Sequence, residues 1–313
     1  MKDKKVIFMG TPDFAVPVLR KLIEETNVVL VVTQPDKMVG RHQEVMYTPI
    51  KKVALENNIP VFHPNNIKDD NKIIFDTDVD IIVTCAFGQF IPESILEFPN
   101  YKCINVHASL LPKLRGGAPL HKCLIDGYKK TGITIMYMTK GMDNGDIISQ
   151  ESIDINIDDN VGIIHDKLSV IGADLLIKTL PSIFEGTNER IKQDENEVTY
   201  AYNISREEER LDFSKSSLEV HNQIRGLYPY PVSYTILDGN IIKICVAELN
   251  DSTVGKPGEI TKVTKDGIIV RCSDKSILIK KLKPSGKKEM NSIDFVNGYG
   301  KEKLIGRVFE WLK

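Results

Sequence analysis

Four short, continuous apolar runs limit this fold most strongly: "KVIFMG", "VVLVVT", "VDIIVTCAF" and "YKCINVH", all within the first 107 residues. Runs without a polar face suit strands that are buried on both sides, as in a parallel sheet covered by helices. The intervening segments fit that demand. "PDFAVPVLRKLIEE" and "TPIKKVALENN" carry apolar residues at helical spacing, "PVF" reads as a short strand, and a short helix is expected near Pro92 to Phe98. Strand, helix, strand in repetition predicts a mostly parallel, Rossmann-like α/β sheet. Beyond it, "GITIMYM" and "GDIISQESIDI" predict a hairpin around "TKGMDN", and "VGIIHDKLSVIGADLLIKTLPSIF" predicts a long helix.

From about Asn203 the rhythm changes. "SLEVHNQIRGL" reads as a short helix. "VSYTIL", "NIIKICVAEL", "GEITKVT", "DGIIVRC" and "SILIKKLK" are short β-runs, separated by Asp238-Gly239, Lys256-Pro257-Gly258 and Asp266-Gly267. Five strands joined by short turns predict a small OB-like β-barrel. The expected layout is a sheet domain over 1–188, a polar, charged linker over 189–206 and the barrel domain over 207–313. A chain of 313 residues is long enough for two such domains.

Charge divides along the same line. From Ala201 onward there are 19 basic and 15 acidic side chains, a formal +4; the remainder has 22 and 28, a formal −6. A basic second part fits a nucleic-acid contact, and equally an ordinary solvated surface. The five cysteines include no CxxC and suggest neither a disulfide framework nor a zinc knuckle. Cys85 and Cys103 lie in apolar runs and read as buried thiols. The first residues lack a signal-like apolar stretch, and no run approaches the roughly 20 apolar residues of a membrane span. A cytoplasmic location is expected. The six histidines show no HxxxH or HExxH spacing, so no metal is expected.

A parallel sheet raises the question of a dinucleotide. The first βα turn, "MGTPDFA", has a single glycine, Gly10, and Pro12 where a backbone N–H would be wanted. It lacks GxGxxG, and no GxxxxGK[ST] loop occurs in the chain. Thr11 is expected to cap a helix that has Pro12 in its first turn.

Candidate chemistry concentrates in "INVHASLLPKLRGGAP", Ile104 to Pro119. Period-two alternation sends Asn105 and His107 to one face of a strand and Val106 to the other. They stand at the strand's carboxyl end, where open α/β sheets bind ligands. An amide and an imidazole can both donate to a developing oxyanion, and an imidazole can move a proton near neutral pH. Spacing alone lies closer to a strand-end Asn and His satisfied by a turn and by backbone. Pro112 and Pro119 stiffen the loop that follows, and Gly116 and Gly117 allow close approach. Leu110 and Leu111 can line a pocket. Arg115 meets a carboxylate or faces water. Downstream, "TKGMDNGD" puts Asp143 at the hairpin tip, either as turn chemistry or as a carboxylate brought over the strand mouth. Asp146 and Asp13 are competing acids.

Taken together, these motifs resemble the folate-dependent formyltransferase family. "FMGTPDFAVPVL" and the "TQPD" after the second strand resemble the branch of it that acts on initiator tRNA, and the likeness runs through nearly the whole chain. The resemblance implies transfer of a formyl group from 10-formyltetrahydrofolate to the free amino group of methionine on initiator methionyl-tRNA. It implies Asn105, His107 and Asp143 as catalytic residues. It implies Ser109, Leu110, Leu111 and Pro112 as the tetrahydrofolate-contacting loop. "AFGQFIP", with Phe87, Gly88 and Gln89, would border the pterin pocket. A Rossmann-like first domain, an OB-like second domain that helps hold tRNA, a monomeric state and no membrane contact are implied as well. A free amine needs no covalent enzyme intermediate, which argues against Ser109 as a nucleophile.

One loop departs from the family pattern. After "TQPD" the family carries an insertion that reaches the tRNA acceptor end and is often lysine-rich after Gly-Arg. Here it reads "KMVGRHQEVMYTPIKK": Gly40 and Arg41 keep the pattern, but His42, Gln43 and Glu44 follow. Arg41 is the candidate for the acceptor stem. "KKLKPSGKK", Lys280 to Lys288, would add electrostatic attraction or is a solvated β-turn. The alternative reading is another formyltetrahydrofolate enzyme, one that formylates an amino-sugar nucleotide or hydrolyses the donor.

Overall fold

The computed structural model describes residues 1–39 and 44–310. They fall into two compact units. The first contains Met1–Pro119, Thr131–Ile153 and His165–Tyr202; the second contains Leu120–Lys130, Asp154–Ile164 and the chain from Asn203 onward.

The strands of the first unit are β1 (Lys5–Gly10), β2 (Asn27–Val32), β3 (Lys37–Val39), β4 (Glu44–Met46), β5 (Val61–Phe62), β6 (Ile81–Cys85), β7 (Cys103–His107), β8 (Lys130–Tyr137) and β9 (Ile147–Asp154). β3 and β4 pair with each other in a two-stranded sheet. The other seven form one sheet in the order β5-β2-β1-β6-β7-β8-β9. It is parallel from β5 through β7. β8 then runs antiparallel to β7.

The apolar runs explain the centre of this sheet. All of β6 is buried, as is β1 from Val6 to Gly10, so helices must cover both faces. Helices Val16–Glu25 and Pro49–Glu56 and the long helix Val161–Glu185 belong to this cover. In the last of these, Gly172 faces β7 and β8: a Cβ there would lie 3.0 Å from Val106 Cγ1 and 3.5 Å from Ile133 Cδ1. Val106 is therefore the helix-facing residue of β7. Asn105 and His107, one position to either side, belong to the opposite face. Chain order reverses between β1 and β6, and the carboxyl ends of β1, β6 and β7 stand side by side at this crevice.

One local expectation fails. Thr11 does not cap the following helix: Pro12 is the N-cap residue and makes no side-chain capping bond. The Thr11 hydroxyl instead donates to the Phe87 carbonyl oxygen at 2.9 Å. The same carbonyl also accepts from the Gln34 side-chain amide at 3.1 Å, so the hydroxyl joins a tertiary contact in place of the local cap. The first βα turn is thereby tied to the loop after β6.

The second unit contains β10 (Tyr234–Leu237), β11 (Asn240–Asn250), β12 (Ile260–Thr264), β13 (Gly267–Arg271), β14 (Ser276–Pro284) and β15 (Met290–Asn291). Antiparallel pairing gives the order β10-β11-β14-β13-β12, with β15 beside β14. Asp238 and Gly239 have φ of +49° and +75°, as a two-residue hairpin turn between twisted strands requires. The five main strands alone leave β10 and β12 as free edges. The chain's last described stretch fills that gap. Ile260 N–H donates to Arg307 O at 2.8 Å, and Glu310 N–H donates to Ile236 O at 2.9 Å. Inside, Phe213 and Phe309 stack with ring centroids 5.7 Å apart. Helix Ser217–Leu227 packs on this barrel and starts with a capping box between Ser216 and Glu219. No helix among the described residues is long and apolar enough to cross a membrane.

Candidate active site

Asn105 stands opposite Thr84 in the β6–β7 register. The Thr84 hydroxyl donates to Asn105 Oδ1 at 2.8 Å. That bond orients the amide and leaves its N–H₂ end as the donor for a ligand at the strand mouth. Thr84 is itself buried, so this support is shielded from water.

His107 is the last residue of β7 and only 6% exposed. Its Nε2 lies 3.1 Å from the Leu114 carbonyl oxygen. A carbonyl only accepts, so Nε2 carries the proton. Nδ1 then faces Asp143 Oδ2 at 3.7 Å, an ion-pair distance when the ring is charged and too long for a direct hydrogen bond. Only the doubly protonated ring can donate from Nδ1.

Asp143 lies in the loop between β8 and β9, with φ of +47°. Its Oδ2 accepts the Gly116 N–H at 2.8 Å. Gly116 has φ of +122°, and a Cβ there would meet Ala201 O at 2.7 Å. Among the three acids left open by spacing, Asp143 is the one that faces His107. Asp146 pairs with Arg190 at 2.9 Å, and Asp13 is exposed in the first turn of a 3₁₀ segment. Leu114, Arg115 and Gly116 thus form one turn that touches both members of the pair.

The remaining expected site residues divide sharply. Ser109 is buried, and its hydroxyl donates to Lys113 O at 2.7 Å, so it presents no free nucleophile. Leu111 is buried against Met136 and Ile147. Its N–H donates to Thr134 Oγ1 at 3.1 Å, and its carbonyl accepts from Gln150 at 2.9 Å. Leu110 and Pro112 stay partly exposed. Phe87 packs into the sheet core, and Gln89 bonds Ile67 N and Pro64 O. The 86–89 turn therefore directs these two side chains inward and leaves Gly88 and backbone outward. Burial pushes the Cys85 and Cys103 thiols up in pKa, so neither offers a thiolate. Among the described residues, no cluster of His, Cys, Asp and Glu is arranged to hold a metal. Arg41 and Gly40 lie outside the described residues.

Three supports escaped sequence reasoning. Thr84 is a hydroxyl inside an apolar run, and Leu114 acts through its backbone. Gln193 lies in the polar stretch read as a linker, which also bonds back to the site: Arg115 N–H donates to Thr199 O at 2.9 Å and Ala201 N–H to Arg115 O at 2.7 Å. A polar residue interrupting a buried strand was the available signal for Thr84.

Comparison with known proteins agrees across both units. The formyl transferase model matches residues 4–180, and the formyl transferase C-terminal domain model matches residues 203–300. Methionyl-tRNA formyltransferase of Staphylococcus aureus strain Newman is 51% identical over 307 residues, covering 97% of this chain and 98% of that protein. The strain MW2 protein of the same name is 50% identical over the same span. Among solved structures, the N-formyltransferase of Helicobacter canadensis in complex with folinic acid and dTDP-3-aminofucose superposes with a TM-score of 0.68. It shares 22% identity, over 88% of this chain and 98% of that one, a likeness of fold. HypX of Aquifex aeolicus in complex with tetrahydrofolic acid gives 0.63 at 14% identity, over 96% of this chain and 48% of that one. Through both of its domains, this chain belongs to the formyl transferase family.

Proposed function

We propose that this chain transfers a formyl group from 10-formyltetrahydrofolate to the amino group of methionine on initiator methionyl-tRNA. The observation that carries this reading is the identity of half the residues with methionyl-tRNA formyltransferases, spread over both domains. A likeness confined to the sheet domain would leave the acceptor open.

The donor brings an electrophilic formyl carbon and the acceptor a free amine. A C–N bond forms to the amine, the bond from carbon to the folate nitrogen breaks, and one proton passes net from the amine to that nitrogen. The candidate catalytic residues act on charge and protons. Asn105, oriented by Thr84, donates its amide N–H to the oxygen that gains charge as the amine attacks. The His107 ring, at the same strand mouth, is the second group placed to donate to that oxygen. Asp143 balances the charged ring and takes up the proton lost by the amine. Leu110, Pro112, Gly88 and the backbone of the 86–89 turn are the groups left open to hold a flat pterin and its apolar neighbour. Ser109, Leu111, Phe87 and Gln89 shape that surface from beneath.

The tRNA would lie against the basic second unit and the Arg41 loop. None of the five cysteines lies in a disulfide, which suits a reducing cytoplasm. The test is direct. Purified protein, given the formyl donor and charged initiator tRNA, is expected to yield formylmethionyl-tRNA. Formylation of an amino-sugar nucleotide with no product on tRNA overturns the reading.

A further inference from the structure

Behind the His107–Asp143 pair stands a further set of contacts that the mechanism above does not use. The Gln193 amide nitrogen donates to two backbone carbonyls of the Asp143 loop, Asp143 O at 2.7 Å and Gly145 O at 2.8 Å. Its Oε1 accepts Arg115 Nε at 3.0 Å. Arginine only donates, so this contact fixes which end of the amide faces the loop. Arg115 is 3% exposed, and its other two nitrogens reach both carboxylate oxygens of Glu195, at 2.9 and 3.3 Å. The guanidinium is thus held at both ends, and its planar fork transmits that orientation to Gln193.

The Asp143 loop needs such a hold. The Asp143 φ lies in the left-handed region, which aspartate tolerates better than most residues but which its surroundings still help to hold. The carboxylate itself is held through its side chain, by the Gly116 N–H. A bond to the side chain alone would let the backbone pivot, and the 3.7 Å spacing to Nδ1 would change with it.

We propose that Gln193, oriented by Arg115, is a positioning residue: it fixes the Asp143 backbone so that the carboxylate stays against His107. The proposal rests on the roles assigned above to His107 and Asp143. Gln193 is partly exposed and touches its partners through one amide, so its removal leaves the sheet core intact.

The test is a double-mutant cycle of Gln193→Ala with Asp143→Asn. Gln193→Met, similar in length without donors, serves if the alanine variant does not fold. Misplacement of one reacting group lowers kcat about 10- to 100-fold in the wild-type background. KM for both substrates is expected to stay within about threefold, and in the Asp143→Asn background the further loss stays below about twofold. The ring ¹⁵N shifts of His107 are expected to move toward those of Asp143→Asn. An equal loss in both backgrounds, or a rise in KM at constant kcat, overturns the proposal. A wild-type protein that leaves charged tRNA unformylated overturns the functional reading instead. The His107 shifts still decide the positioning claim in that case, because rings unmoved by Gln193→Ala refute it.

Discussion

His107 and Leu114 share the hydrogen bond that sets the protonation pattern of the site: Nε2 donates to the Leu114 carbonyl at 3.1 Å. Nε2 therefore carries a proton, and Nδ1 is the nitrogen that faces Asp143. His107→Ala removes both functions and is expected to lower kcat by about 10²- to 10⁴-fold, the usual worth of a positioned acid or base. Asp143→Asn keeps the size and loses the charge, so it should also act mainly on kcat. Steady-state formylation of charged tRNA measures both variants. Near-normal turnover in His107→Ala would remove the imidazole from the chemistry.

Gly116 offers a separate route to the same carboxylate. Its φ of +122° and the 2.7 Å approach of Ala201 O to a built Cβ leave no room for a side chain. Gly116→Ala must shift the turn that supplies the N–H to Asp143 and the carbonyl to His107. Strain of this kind costs about 1–3 kcal/mol. The unfolding midpoint should drop and kcat should fall with it. Full stability together with full activity in Gly116→Ala would show that the turn relaxes freely.

The sequence carried the strands and the face of β7 plainly, because buried runs and period-two alternation are local signals. Val106 turns toward the helix at Gly172, as alternation requires. The closure of the barrel was not legible: Arg307 and Glu310 meet β12 and β10 through backbone atoms, which no side-chain pattern announces. The supports of the site were hidden for the same kind of reason. Leu114 contributes a carbonyl, and Gln193 sits in a charged stretch without periodicity. Thr11 failed as a cap because a distant carbonyl, Phe87 O, competed for its hydroxyl.

Lys243 and Lys283 lie directly opposite each other on β11 and β14. Lys243 Nζ donates to the Pro231 carbonyl at 2.8 Å, which leaves Lys283, exposed, as the side chain of the pair open to a phosphate. Lys283 continues the basic run Lys280 to Lys288, in which Lys280 and Lys281 approach Glu248 and Glu289 at 3.6 and 3.9 Å. Lys283→Ala is expected to weaken tRNA binding at low salt and to reduce the slope of log K against log salt by about one. Turnover at saturating tRNA should hold. An unchanged slope would place the tRNA elsewhere.

His221 predicts how stability responds to acid. It lies in helix Ser217–Leu227, is 6% exposed, and its Nδ1 has no hydrogen-bond partner among the described residues. Burial, with the nearby Arg225 charge adding to it, lowers its pKa from 6.5 to about 4. The folded state therefore resists a proton that the unfolded chain accepts. Above pH 6.5 both states hold a neutral ring, and this residue makes stability independent of pH. Between 6.5 and 4 only the unfolded chain is protonated, so stability falls as pH falls; below 4 both are charged and the loss levels off. The full effect of such a shift is about 3 kcal/mol. Thermal unfolding of wild type and His221→Gln from pH 7 to 4 measures it. The variant should lose much of the slope within that window. Parallel curves for the two proteins would assign the acid sensitivity to other groups.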